Sequence, residues 1–176
     1  SDVQLYEEYP ARYSADVNRR YRWIRGDWQL AGWLLPRVPG PGGQRLKNPL
    51  SSLSRWKLFD NLRRSLIPTA LTLLLALGWM VHSSPWFWTL VVLGIILIPL
   101  VLTTLLDALR KPSDMRLGQH LAAVVGAAGQ RIVQALFLLV TLPHEAHYNS
   151  DAILRTLGRL LVTQQRLLEW IPSDVQ

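Results

Sequence analysis

Cysteine is absent from the 176 residues, which excludes disulfide frameworks and zinc-thiolate sites but leaves the redox compartment open. Charge is absent from two long stretches, Leu66 to Val81 and Trp86 to Leu106. As helices these measure roughly 24 and 31 Å, against a hydrocarbon core of about 30 Å. The second can cross a bilayer outright, and the first needs Ser65 and His82-Ser83-Ser84 to complete it. A buried helical hairpin in a soluble protein is the alternative, but uncharged stretches of this length are the usual mark of membrane spans. Neither lies at the N-terminus, so neither is a signal peptide. The opening Ser1-Asp2-Val3-Gln4-Leu5 lacks an initiator Met and any targeting character, and reads as the start of a piece of a longer chain. Lys and Arg are missing from His82-Ser83-Ser84-Pro85, the connection between the two stretches.

The net charge of +7 is placed where that connection is not. Arg55, Lys57, Arg63 and Arg64 precede the first stretch, and Arg110, Lys111 and Arg116 follow the second. Positive flanks stay cytoplasmic, so both ends of a 66–106 hairpin are expected on the cytoplasmic side. Trp79, Trp86 and Trp88 flank the turn as interfacial anchors do. Positive charge so close to membrane spans also argues against a nucleic-acid partner.

Four segments follow. Residues 1–50 read as a soluble, mainly helical part, with Ser14 as N-cap and Asp16 in the first turn of a helix that runs towards Trp28 past a weak point at Gly26. Pro36 to Gly43 reads as a loop; it lacks the Gly-Lys-Ser/Thr of a phosphate loop. Residues 51–65 space Trp56, Phe59 and Leu62 among Lys57, Arg63 and Arg64, the pattern of an amphipathic helix at the interface. Residues 66–106 form the two-helix hairpin, with Pro68 near a helix start and Pro99 as a kink site.

Residues 107–176 are apolar but interrupted. Gln119, His120, Gln130, Arg131 and Gln134 break the 117–142 stretch, and a central Arg costs about 2.5–3.5 kcal/mol on insertion scales. A re-entrant or interfacial element is therefore favoured there over a third span. The leucines from Ile153 to Leu168 make an amphipathic helix capped by Asn149 or Ser150, and a core, a partner helix and a membrane surface all remain open for it. The fold class is thus mainly α: a membrane protein fragment with a transmembrane hairpin and interfacial helices.

Arg19, Arg22 and Trp23 share one helical face by i, i+3 and i+4 spacing. A guanidinium there can make paired hydrogen bonds to a diphosphate, while an indole offers a flat platform for a sugar. The same residue types also serve simply to hold anionic lipid headgroups, and spacing does not separate the two. His144-Glu145-Ala146-His147 lacks the spacing of an HExxH metal site and, following Pro143, reads as a turn. Arg166-Leu167-Leu168-Glu169-Trp170 echoes the Arg-Trp pattern, but places a carboxylate where a phosphate ligand belongs.

Arg19-Arg20-Tyr21-Arg22-Trp23 resembles the (Q/R)xxRW motif of processive, membrane-embedded glycosyltransferases of the cellulose synthase type. The words Tyr6 to Ser14, Trp23 to Gln29 and Leu53 to Ser65, in that order, make the whole chain similar to bacterial cyclic β-1,2-glucan synthase. The resemblance implies a segment from the C-terminal end of a GT-A-type glycosyltransferase that polymerises glucose from UDP-glucose into β-1,2-glucan, by inversion, at the inner membrane. It implies Arg22 at the UDP diphosphate and Trp23 under the acceptor sugar. Arg19 stands where relatives usually carry Gln, so its contact is open, and Arg25 and Trp28 are supporting candidates. The catalytic base and the Asp residues for a divalent cation (Mg or Mn) are expected elsewhere in the polypeptide, so this segment alone holds no cofactor and is expected to be inactive. The partners implied are UDP-glucose, the glucan acceptor, membrane lipids and the remaining polypeptide. The reading from another class is a non-catalytic membrane-anchoring or interaction module.

Overall fold

A computed structural model describes residues 12–40, 43–81 and 84–163. Among these, four helices dominate: α1 (Tyr13–Gln29), α2 (Ser52–Val81), α3 (Pro85–Leu109) and α4 (Leu117–Gly158). A 3-10 turn at Ala31–Leu34 and two short strands, β1 (Arg37–Pro39) and β2 (Arg45–Lys47), lie between α1 and α2. A π-helical turn, Arg159–Thr163, follows α4. The mainly α, membrane-type fold class expected from the sequence is borne out. Three helices, α2, α3 and the α4 segment to Thr163, are long and apolar enough to cross a membrane by length and composition.

The chain divides into two compact units, one of Ser1–Ile67 with His147–Gln176, the other of Pro68–Ala146. In the first, α1 starts one residue before Ser14, at Tyr13, with Arg12 in the N-cap position and no side-chain cap. Asp16 does lie in the first turn. Gly26 does not interrupt α1, because one glycine costs only about 1 kcal/mol against Ala in a helix held by tertiary contacts. The Pro36–Gly43 stretch is not wholly loop. Arg37, Val38 and Pro39 pair antiparallel with Lys47, Leu46 and Arg45, and the Gly40 N–H donates to the Gln44 carbonyl at 2.7 Å. Gly43 has φ 79°, a left-handed value that favours glycine there. Val38 is the buried residue of this hairpin. Asn48 ties the hairpin's exit: its Nδ2 donates to the carbonyls of Trp33 (2.6 Å) and Leu35 (2.9 Å), and its Oδ1 accepts from the Leu50 N–H (2.9 Å). Ser51 then caps α2, its Oγ accepting the Ser54 N–H at 3.1 Å, as an N-cap hydroxyl does for the third helical residue.

The interfacial helix expected over 51–65 and the first span run as one helix. Pro68 lies inside α2 and withholds a single hydrogen bond from the carbonyl four residues earlier. Leu53, Trp56, Phe59, Leu66, Leu73 and Leu77 are exposed along it.

The second unit is organised around Leu71, Val92 and Leu142, with Leu74, Leu75 and Ile96 packed against them. Gly78 lets α2 approach α3: a Cβ there would meet Trp88 at 2.5 Å. Beside it, Trp79 Nε1 donates to Thr89 Oγ1 at 3.0 Å. Large apolar side chains on all three helices face outward, among them Met80, Trp86, Ile98, Leu102 and Val140. Apolar surface of that extent is what lipid covers.

No turn breaks the 117–142 stretch, which a re-entrant element would need; it belongs to the continuous helix α4. What sequence reasoning lacked was a partner for Arg131. Its guanidinium pairs with Asp107 at 2.5 Å and reaches Thr104 Oγ1 at 3.2 Å, so the charge is neutralised locally. His144 to His147 is helical rather than a turn, since Pro143 is accommodated inside α4. Asn149 and Ser150 also lie inside α4 and cap nothing, because the chain before them is already helical.

Candidate functional site

In the first unit, α1 presents two faces. At about 100° per residue, Val17, Tyr21, Ile24 and Trp28 form one stripe, and Asp16, Arg19, Trp23 and Gly26 form another on the far side. The first stripe is the docking face. Trp28 Nε1 donates to Ser65 Oγ at 2.9 Å, and Ser65 Oγ donates to the Leu62 carbonyl at 2.7 Å. The Ser65 carbonyl accepts from Asn149 Nδ2 at 2.9 Å. Tyr21 donates its hydroxyl to Asp151 Oδ2 at 2.6 Å across 130 positions of sequence. Arg155 Nε holds the other oxygen of Asp151 at 2.7 Å, and Arg20 lies over the Tyr148 ring with Cζ 5.5 Å from its centroid. α1 is thereby fixed to residues of α2 and of the end of α4.

The second stripe is the candidate site. Trp23 is 56% exposed, a large value for an indole that is held in place. Arg19 lies over its ring, Cζ 4.9 Å from the centroid, and hydrogen-bonds Asp16 Oδ1 at 3.0 Å. Asp16 Oδ2 pairs with Arg20 Nε at 2.9 Å. Arg22 flanks the stripe, about 60° round the helix from Arg19, and is partly buried. Arg25 falls near the docking stripe, and its Nε is buried without a hydrogen-bond partner among the described residues.

The five residues singled out by sequence therefore separate. Arg19 and Trp23 are in contact, Arg22 is beside them, and Trp28 faces Ser65 on the opposite side. Sequence reasoning missed Asp16, Tyr21 and Asp151 as organising residues. The i, i+4, i+7, i+11 stripe of Val17, Tyr21, Ile24 and Trp28 was the available signal for the docking face; nothing local in sequence pointed to Asp151.

Electrostatics follow from this packing. Burial, and then the Asp151 carboxylate, push the Tyr21 phenol above its ordinary range. Burial also raises Asp27, with a hydrogen bond from Asn61 pulling the other way. Asp27 lies one turn beyond Trp23 on α1, where its carboxylate accepts the hydrogen bond from Asn61. Among the described residues no three His, Cys, Asp or Glu side chains converge to hold a metal ion. The Arg166–Trp170 echo and most of the Tyr6–Ser14 word lie outside the described residues.

No family model matches the chain, and no solved structure matches it. The cyclic β-(1,2)-glucan synthase NdvB of Rhizobium meliloti (strain 1021) is 36% identical over 172 residues, covering 97% of this chain and 6% of that protein. The chain thus spans about 6% of the length of the curated relative it matches, and the likeness read from the Arg-Trp word runs along nearly all of it.

Proposed function

With similarity to a cyclic β-(1,2)-glucan synthase over 97% of the chain as premise, we propose that this segment forms the junction between sugar donor and sugar acceptor in such a synthase. The activity is glucosyl transfer from UDP-glucose to a growing β-1,2-glucan, with inversion. One observation carries the reading: an indole more than half exposed stands beside a guanidinium on one helical turn. Trp23 stacks on the acceptor sugar and leaves its hydroxyls free. Arg22 contacts the diphosphate, where a planar fork of donors suits two phosphate oxygens. Arg19 stands on the same face with its guanidinium bonded to Asp16. The base that deprotonates the acceptor hydroxyl and the carboxylates for a divalent cation are assigned, by the resemblance, to other parts of the polypeptide.

The test is made in the full synthase. Arg22→Ala and Trp23→Ala should each abolish glucan synthesis while the protein still inserts in the membrane at its normal level. Normal UDP-glucose turnover by correctly inserted Arg22→Ala protein would remove the enzymatic role.

We also propose bacterial inner-membrane placement with both ends of the 66–106 hairpin cytoplasmic, supported by the basic flanks and by the uncharged Ser84-Pro85 connection. Cysteines placed at Ser84 and at Ser113 should be labelled from opposite sides of the membrane. A second reading has its own support. Leu53, Trp56 and Phe59 are exposed beside Arg63 and Arg64 on α2, as in a helix that grips anionic headgroups. If anchoring were the whole function, Arg22→Ala protein would lose membrane association and keep turnover per folded molecule.

A further inference from the structure

Arg19 occupies the first position of the motif, but its contacts differ from those of a phosphate ligand. Its side chain is 18% exposed and its NH2 group is bound to Asp16. Its Cζ lies over the indole of Trp23, 4.9 Å from the ring centroid, and that indole is 56% exposed. Both oxygens of Asp16 are committed, Oδ1 to Arg19 and Oδ2 to Arg20. Arg20 is in turn seated on Tyr148. The carboxylate is therefore fixed from two sides, and through Arg19 it fixes the plane of the indole.

We propose that Arg19 is a positioning residue for Trp23, with Asp16 as its anchor. The cation covers one face of the indole and holds the ring in a single orientation. The opposite face is left as a one-sided platform for one sugar ring of the acceptor. A guanidinium suits this place because it can lie over an indole while its N–H groups hydrogen-bond a carboxylate. The inference rests on the reading of Trp23 as the acceptor platform, and it separates Arg19 from Arg22 in role.

The experiment is steady-state kinetics of the full synthase in lipid nanodiscs, with UDP-glucose as donor and a short β-1,2-linked glucan as acceptor. Arg19→Met should raise the acceptor KM about three- to fivefold, the size of a lost cation–indole contact. The UDP-glucose KM and inhibition by UDP should stay within about twofold of the wild type. Arg19→Lys keeps the cation and should fall between the two. Asp16→Ala should reproduce the Arg19→Met acceptor effect, and the double variant should add little to either single change. The amount of inserted protein, measured for each variant, separates these effects from misfolding. A rise in UDP-glucose KM with weakened UDP inhibition, at unchanged acceptor KM, would make Arg19 a phosphate ligand and overturn the proposal. So would unchanged kinetics in a background where Trp23→Ala is inactive. If Trp23→Ala itself left acceptor kinetics intact, the platform reading would fail first.

Discussion

The Tyr21 hydroxyl ties α1 to Asp151, 130 positions away in sequence, and Tyr21→Phe removes that hydroxyl alone. A hydrogen bond to a charged group contributes about 1.5–3 kcal/mol, and partial solvent exposure places this one near the lower end. Loss of about 1.5 kcal/mol changes a local opening equilibrium roughly tenfold. Amide hydrogen exchange followed by mass spectrometry in nanodiscs should therefore show protection in Tyr13–Gln29 falling about tenfold, with Pro85–Leu109 unchanged. Trp28 on Ser65 and Arg20 over Tyr148 keep α1 from detaching completely. Asp151→Asn retains an acceptor and should cost less than Tyr21→Phe, and the double variant should fall short of additivity. The phenol is raised from 10.0, so the folded state holds its proton more tightly than the unfolded chain. Its contribution is complete below the unfolded value and is lost as pH rises through the folded one. Unchanged exchange in α1, or an equal loss in α3, would refute the docking role of Tyr21.

Other outcomes follow from the packing and the charges. Gly78→Ala places a methyl against Trp88 and should lower stability by about 1–3 kcal/mol through overpacking, read as a reduced melting temperature in detergent. Asp107→Asn leaves the partly exposed Arg131 without its carboxylate and should destabilise by about 1 kcal/mol; Asp107→Asn with Arg131→Gln should recover much of that loss in the same melt. Asp27 is raised by burial, so the stability gained from its protonated form is full below the unfolded value and disappears as pH rises through the folded one. Asp27→Asn should accordingly melt higher than the wild type at neutral pH, and the difference should shrink on acidification.

The second half of the hairpin was legible because nothing competes with its pattern: α3, Pro85–Leu109, brackets the uncharged run Trp86 to Leu106. The motif helix was legible for the same reason, since i, i+3, i+4 spacing is local. Long-range facts were not. Arg131 looks prohibitive until Asp107, 24 residues earlier, is brought to it by folding, and only then does an unbroken α4 make sense. Ser65 looks like the boundary between an interfacial helix and a span. In the folded chain it is buried and serves Trp28 and Asn149, so the helix passes through it. Asn149 has the composition of a cap, but its amide finds a carbonyl 84 residues away. In the site itself, the adjacency of Arg19 and Trp23 was readable, whereas the commitment of Arg19's edge to Asp16 depends on rotamers that spacing does not specify.

Asn48 receives little attention from composition, yet three side-chain bonds and the 2.9 Å bond from its own N–H to the Pro36 carbonyl converge on it. A short polar residue at this point works as a clasp. It fastens the exit of α1 to the entry of α2, so the stretch from Trp33 to Leu50 should move as one block. A graft or insertion on the N-terminal side of Trp33 would leave the clasp shut, while one between Asn48 and Leu50 would open it and let the start of α2 swing free.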